Sequence, residues 1–344
     1  MVVDPTALAM YDEALIDLTN GIFSTIHNRL GAGAEGGPLS GPVNFDAPMA
    51  LGFGTSLKDD GPAANSGSNG WGQVFGAIRE QNGQSPTVDA DHWLAGVVVG
   101  MDSPVSGFET AGVFIGTSTG EIEVDFNAQD VDIDSYFGGV YGSQNWAGIK
   151  VDMMLTGGVS DYESRRQVAN NLVVGGIEFA RADFDAYFIS PEIAFSAPAT
   201  IMGQAVVPSV RLRYAGLFID GTTETGSVGN LTTNDRDIHM LQGRAQIAFP
   251  NLVPSISGVA GSFVPYLAVE GRTTLSGDDV SAVLLGQTIN FDPGGDDEVA
   301  DAIAGATFSQ DIGGGMTFFG GFEGRVGSDE SSGAQGQLGV RVRF

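Results

Sequence analysis

Cysteine is absent from the 344 residues, which excludes a disulfide framework, a thiolate metal site and a cysteine nucleophile together. Positive charge is scarce: 15 Lys and Arg stand against 42 Asp and Glu, a formal net charge of −27. A nucleic-acid binder needs clustered Lys and Arg against phosphate, so that partner class is excluded as well. Histidine occurs only as His27, His92 and His239, and none of the three falls in a metal-ligand spacing. No secretory leader is visible, because Met1 to Pro5 offers neither a basic segment nor an apolar core; the chain reads as a mature or excised piece of something longer. No apolar helical span is present either. The longest uncharged run, Ala245 to Val269, holds Pro250, Pro254, Pro265, Gly258 and Gly261, too many breakers for a membrane helix, and reads as strand, turn, strand.

What is there is apolar and glycine-rich. Hydrophobic residues make up 42%, charged residues 17%, and glycine 52 positions. That composition is too apolar for a disordered chain despite the net charge, so the apolar surface must be buried in a core or in lipid. Residues 1–30 contain the one convincing helix, over 4–30, with Asp4 as candidate N-cap and Pro5 at the first helical position. Leu8, Leu15, Leu18, Ile22 and Ile26 form an apolar stripe, while Asp12, Glu13 and Asp17 make the first half too polar to face lipid. Residues 31–68 have the Gly/Pro/Ser composition of a linker.

From residue 69 to 344 the period becomes two. Ile149, Val151, Met153 and Leu155 alternate with Lys150, Asp152, Met154 and Thr156; Arg181, Asp183 and Asp185 with Ala182, Phe184, Ala186 and Phe188; Leu338, Val340, Val342 and Phe344 with Gly339, Arg341 and Arg343. A soluble sandwich also alternates. Mid-strand arginines and unequal connections favour a membrane barrel: short turns are expected at 143–144, 197–200 and 313–315, and long acidic loops near 119–129, 158–176, 220–235 and 277–298. The segments number twelve, near 70–80, 92–102, 106–118, 130–142, 145–158, 178–196, 204–219, 235–249, 261–276, 299–312, 315–327 and 332–344, with 280–291 as a strand or a loop hairpin. The fold expected is an all-β membrane protein, a twelve-stranded antiparallel barrel with the N-terminal helix inside.

Assigning the apolar register to lipid puts Lys150, Arg181, Arg211, Arg213, Arg244, Arg272, Arg325, Arg341 and Arg343 in the lumen, nine of the fifteen basic residues. Asp12, Glu13 and Asp17 of an enclosed helix would meet that wall where ion pairs are less screened than on a surface, which predicts a docked plug. The competing reading is that the arginines pair with wall carboxylates such as Asp152, Asp183, Asp185 and Glu270. The remaining acids, among them Glu121, Glu123, Asp125, Asp130, Asp132 and Asp134, are assigned to solvated loops and turns; none has the spacing of a calcium loop.

The order of these features resembles the β-domain, or translocator, of type V autotransporters of Gram-negative bacteria. The resemblance runs through a helix ending Ile26-His-Asn-Arg-Leu30, a linker, Trp71-Gly-Gln-Val-Phe-Gly76 opening the first strand, Tyr136-Phe-Gly-Gly-Val-Tyr-Gly142, and the finish at Phe344. It implies an outer-membrane location, a helix threading the lumen, and a secreted passenger N-terminal to it. It also implies that Gln337, Gly339, Val342 and Phe344 fill the family's assembly signal, read by the machinery that inserts barrels. The partners expected are therefore outer-membrane lipid, that machinery and the chain's own passenger, for a monomeric barrel with no cofactor and no metal.

Catalytic motifs are present only in letters. Gly116-Thr-Ser-Thr-Gly120 matches a nucleophile elbow but lies on a hairpin strand instead of a strand-to-helix turn. Gly31-Ala-Gly-Ala-Glu-Gly36 matches a dinucleotide fingerprint but follows a helix. No enzymatic activity is expected. Some relatives release their passenger by cyclisation of a helix asparagine; this sequence lacks the paired asparagines those relatives use, although Asn20-Gly21 sits near mid-helix, and self-cleavage stands as a minor alternative beside a passive diffusion porin.

Overall fold

The computed structural model describes residues 6–31, 68–83, 87–250, 252, 261–277, 280–291 and 296–343. The expected N-cap pair Asp4-Pro5, the linker between 32 and 67 with its Asp59-Asp60, Asp292 and Phe344 lie outside the described residues, as does the side chain of Arg343.

Twelve long strands follow the helix: β1 Asn69–Gln81, β2 Ala90–Val105, β3 Phe108–Val124, β4 Gln129–Trp146, β5 Ile149–Ala169, β6 Ile177–Ser196, β7 Gln204–Ile219, β8 Arg236–Ala248, β9 Gly261–Ser276, β10 Glu298–Gly313, β11 Met316–Gly327 and β12 Ser331–Arg343. Each pairs antiparallel with its neighbours in sequence, and β1 pairs with β12 from Asn69↔Arg343 to Gln81↔Ser331. The sheet is thereby closed and leaves no long edge, which is what lets strands cross a bilayer. Outward positions carry the lipid-facing residues, including Val74, Val97, Ile115, Val140, Leu155, Leu212, Leu267, Phe322 and Leu338, all exposed.

Strand extents depart from the sequence reading at both ends of the barrel. The turn expected at 143–144 lies instead at Ala147-Gly148, where both residues have positive φ, 54° and 87°; two such residues in succession make the hairpin turn that matches strand twist. Ser143, Gln144 and Asn145 are polar yet remain paired within β4. At 197–200 the turn is likewise displaced, to Met202-Gly203, again with two positive φ values. The loops expected at 119–129 and 158–176 are mostly strand, since β3 runs to Val124 and β5 to Ala169. Val280–Leu284 and Gln287–Phe291 form the loop hairpin, and join Leu231–Thr233 and Thr222–Thr223 in a small four-stranded sheet.

The extra length of β3 to β6 lies beyond the membrane. Tyr136, Val159 and Tyr187 form one exposed cross-strand row; the next row outward is Asp134, Asp161 and Asp185, and the next Asp132, Glu163 and Asp183. Aromatic residues followed at once by carboxylates mark a membrane–water interface. Glu121, Glu123, Asp130, Asp132 and Asp134 are therefore strand residues on a solvated face, not loop residues.

That boundary also corrects Arg181. It is exposed and points outward, while Ala182, Phe184, Ala186 and Phe188 point inward. Past the lipid the rule reverses, because the outer face meets water and the inner face packs on the helix: Phe184 stacks on Tyr162 with centroids 5.1 Å apart, and Tyr11 meets both rings.

The helix runs as α1 Thr6–Ala9 and α2 Tyr11–Gly31, two segments where the sequence reads as one. At 1.5 Å per residue, α2 is roughly as long as a bilayer core is thick. It lies inside the barrel and is buried along most of its length, with Glu13, Asp17 and Arg29 buried and Asp12 half-buried. Leu15, Leu18, Ile22, Phe23 and Ile26 share one core with inward Trp71, Phe75, Leu94, Phe114, Phe137 and Leu217.

Candidate functional site

The lumen divides into an apolar side and a charged side, and the helix presents a matching surface to each. On the apolar side the packing is close: a Cβ placed on Gly21 would fall 2.3 Å from Cδ2 of Phe75, so only glycine lets the helix approach β1 here. On the charged side Arg79 of β1 donates from Nε and Nη2 to the two carboxylate oxygens of Asp17, at 2.8 and 2.7 Å, and its Nη1 is 2.9 Å from Glu13. His92 Nδ1 lies 3.3 Å from the same Asp17. Arg272 of β9 pairs with Glu13 and, at 2.9 Å, with Asp329.

Asp12 behaves differently from the other two helix acids. Its carboxylate accepts the Glu13 backbone N–H at 2.9 Å, and no described basic group forms an ion pair with it.

Of the other expected wall residues, Lys150, Arg211, Arg213, Arg244, Arg325 and Arg341 are inward, and most of them pair with wall carboxylates. Lys150 is 3.2 Å from Asp152, and Arg213 is 2.7 Å from Glu192. Arg244 meets Glu323 at 2.8 Å and Glu270 at 3.8 Å, and Arg325 meets Glu270, Asp301 and Glu323. Arg341 donates to Thr317 at 2.9 Å. Arg211 donates to Gln246 at 3.3 Å. Arg213 also reaches the helix: its Nη1 donates to Asn20 Oδ1 at 2.6 Å and its guanidinium lies over the Phe23 ring at 4.4 Å. Helix and wall carboxylates share the arginines.

Several contacts have no counterpart in the sequence reading. Arg79 is the chief one; on β1 it shares a face with Trp71, Gln73, Phe75 and Ala77, so the inward side is the more apolar side and the register argument skips it. Parity from Gln73 is the signal that identifies it. Arg29 of the helix donates to Asp102 at 2.6 Å, in a cluster completed by Tyr141, which donates to Asp102 at 2.6 Å and accepts from Trp71 at 2.9 Å. His27 Nε2 lies 2.5 Å from Glu192.

These contacts orient the helix. Thr6 accepts the Val88 N–H at 3.0 Å, and the Leu8 carbonyl accepts Arg236 at 2.7 Å, at the end that carries the small loop sheet. Arg29 sits beside Asp102 at the end where β1 begins and β12 finishes.

Of the predicted assembly signal, Gln337 points inward and accepts the Ser24 hydroxyl at 2.8 Å. Gly339 is inward against Phe319, and Val342 pairs with Gly70 and Met316. Ser118 of the elbow-like motif sits within β3, which continues without a turn to Val124. Asn20 and Gly21 are helical, and the Gly21 carbonyl accepts the Thr25 hydroxyl at 2.9 Å.

No curated protein matches the chain significantly in sequence. Among solved structures, the translocator domain of autotransporter NalP from Neisseria meningitidis superposes with a TM-score of 0.63 at 15% identity, covering 82% of this chain and 90% of that one. The β-domain of the Bordetella autotransporter BrkA gives 0.56 at 14%, covering 81% and 100%. The Ralstonia pickettii toluene transporter TbuX gives 0.50 at 8%, covering 82% and 90%. At these identities the likenesses establish a barrel fold shared by proteins of different function. The family assignment comes from sequence: residues 70–323 match the family model described as Autotransporter beta-domain. The closed twelve-stranded barrel with a helix in its lumen belongs to the autotransporter β-domain family, the outer-membrane translocators of Gram-negative bacteria.

Proposed function

We propose that this barrel translocates and anchors a passenger attached N-terminal to the helix, and that the helix then plugs the lumen. The observation that carries the reading is the closure of Glu13 and Asp17 on Arg79 and Arg272, ion pairs that span helix and wall. A loosely tethered segment would leave those arginines to wall carboxylates, as Arg325 is left. The helix N-terminus at the long-loop end agrees with a passenger outside the cell, and its C-terminus with a linker returning to β1 on the periplasmic side, where barrel turns are short. The machinery for inserting barrels reads β12 through Gln337, Gly339, Val342 and Phe344, and the barrel works as a monomer.

Passenger release by Asn20 cyclisation needs an unconstrained backbone. A helical Asn20 with its carboxamide held by Arg213 supports retention of the intact chain. Single-channel conductance in planar bilayers tests the plug. The intact chain should stay mostly closed, and the Glu13→Ala/Asp17→Ala variant should open. A steady open pore in the intact chain, unchanged by the substitutions, would make it a diffusion porin.

A further inference from the structure

Arg211 of β7 stands apart from its neighbours in the lumen. Arg79, Arg213, Arg244, Arg272 and Arg325 each have a carboxylate within ion-pair distance, whereas among the described residues Arg211 has none; it donates only to the neutral carboxamide oxygen of Gln246, at 3.3 Å. Gln246 accepts Arg244 at 3.1 Å through the same oxygen. The two arginines are direct cross-strand partners on the inward face, an unfavourable juxtaposition of like charges. Arg244 is neutralised by Glu323 and Glu270. Arg211 and Arg244 therefore converge on a single uncharged oxygen, and of the two only Arg244 has carboxylates within ion-pair distance.

That charge lines a cavity of about 180 Å³ at the short-turn end of the lumen. Much of the wall is apolar, including Leu30 of the helix, Val207, Ala248 and Val264. Lys150, Asp152, His27 and Glu109 also border it, with Asp152 held by Lys150 at 3.2 Å. A cavity near 150 Å³ accommodates benzene, so this one takes a tail of about six carbons. Arg211 and Lys150 stand against Asp152 and Glu109, so the lining as a whole has no surplus charge for a dianion, and a single carboxylate is matched to Arg211, which no described carboxylate pairs.

We propose that this cavity is a binding site for a short aliphatic monocarboxylate entering from the periplasmic side. The carboxylate takes the place of the Gln246 oxygen on Arg211, in the charge-assisted geometry that guanidinium favours. The tail lies against Leu30, Val207 and Val264. Since Leu30 belongs to the helix, an occupied site ties the end of the helix to β7 and β9.

The test is calorimetric titration of the detergent-solubilised full chain with hexanoate, against hexan-1-ol and hexylamine as matched tails without the negative charge. Saturable binding of hexanoate near one per chain is expected, with neither control competing. Arg211→Gln should weaken it about tenfold or more. Val207→Trp, which leaves the charge and fills the cavity, should abolish it and serves as the second variant if Arg211→Gln does not fold. Absence of saturable heat, equal binding of hexan-1-ol, or binding unchanged in Val207→Trp would overturn the site.

Discussion

Arg79 of the first strand holds Asp17 of the helix through two parallel hydrogen bonds, 2.8 and 2.7 Å long, with both side chains enclosed by the barrel. This fork joins a helix to the strand that follows it only after the intervening linker, and it makes the helix acids unequal. Asp17→Asn leaves Arg79 with Glu13 alone, and breaking one partner of an enclosed pair costs about 3–5 kcal/mol. Asp12, bonded to its own helix, should cost under about 1 kcal/mol when changed to Ala. Amide hydrogen exchange over 11–31 separates the two: faster exchange in Asp17→Asn and near-native exchange in Asp12→Ala. Equal effects would contradict the assignment.

Gly21 provides a test with opposed signs. Ala is favoured over Gly in a helix interior by about 1 kcal/mol, so propensity alone predicts that Gly21→Ala stabilises. Contact with Phe75 predicts the reverse, a loss of about 1–3 kcal/mol from overpacking. The unfolding midpoint in detergent should fall, and Phe75→Leu in the same chain should restore part of it. A raised midpoint would show that the approach of helix to β1 is looser than described.

Legibility in the sequence followed the physics of the two solvents outside the barrel. Where lipid lies outside, alternation identified the strands and the inward face, as for Lys150, Arg213, Arg244 and Arg325. Where β6 rises into water the same alternation inverts, and Arg181 was assigned to the wrong face. β1 failed for a related reason: Trp71 and Phe75 face a helix instead of water, so the inward side of that strand reads as lipid-facing and Arg79 escaped notice. Gly72 and Gly76, small and outward, gave no counter-signal. Polar Ser143 and Gln144 resembled a turn, but turn position was decided by two positive φ angles at Ala147 and Gly148.

Gln337 serves two predicted purposes that substitutions can separate. Ser24→Ala removes only the helix contact, worth about 1 kcal/mol, and should leave insertion into the outer membrane at its normal level. Gln337→Ala should weaken docking by a similar amount and also lower the folded, heat-modifiable fraction in the membrane. Normal insertion of Gln337→Ala would remove the residue from the assembly signal.

The small loop sheet is fastened by Arg166, whose Nε and Nη2 bond both oxygens of Glu224 at 3.0 and 2.5 Å while Glu224 accepts the Leu231 N–H at 2.7 Å. Glu224→Gln should free residues 222–233 without unfolding the barrel. Limited proteolysis of intact cells checks this, with cleavage in that segment increased at least several-fold and the barrel fragment resistant. Unchanged protection would mean the sheet is held by its strands alone.

The central claim is that this barrel carries a passenger across the outer membrane, and surface display tests it most directly. A signal peptide and a small tagged reporter are fused ahead of residue 4, and intact cells are treated with external protease. The account predicts a reporter that is exposed and cleaved, with exposure lost when residues 337–344 are deleted. A barrel present in the outer membrane with its reporter still protected would contradict it.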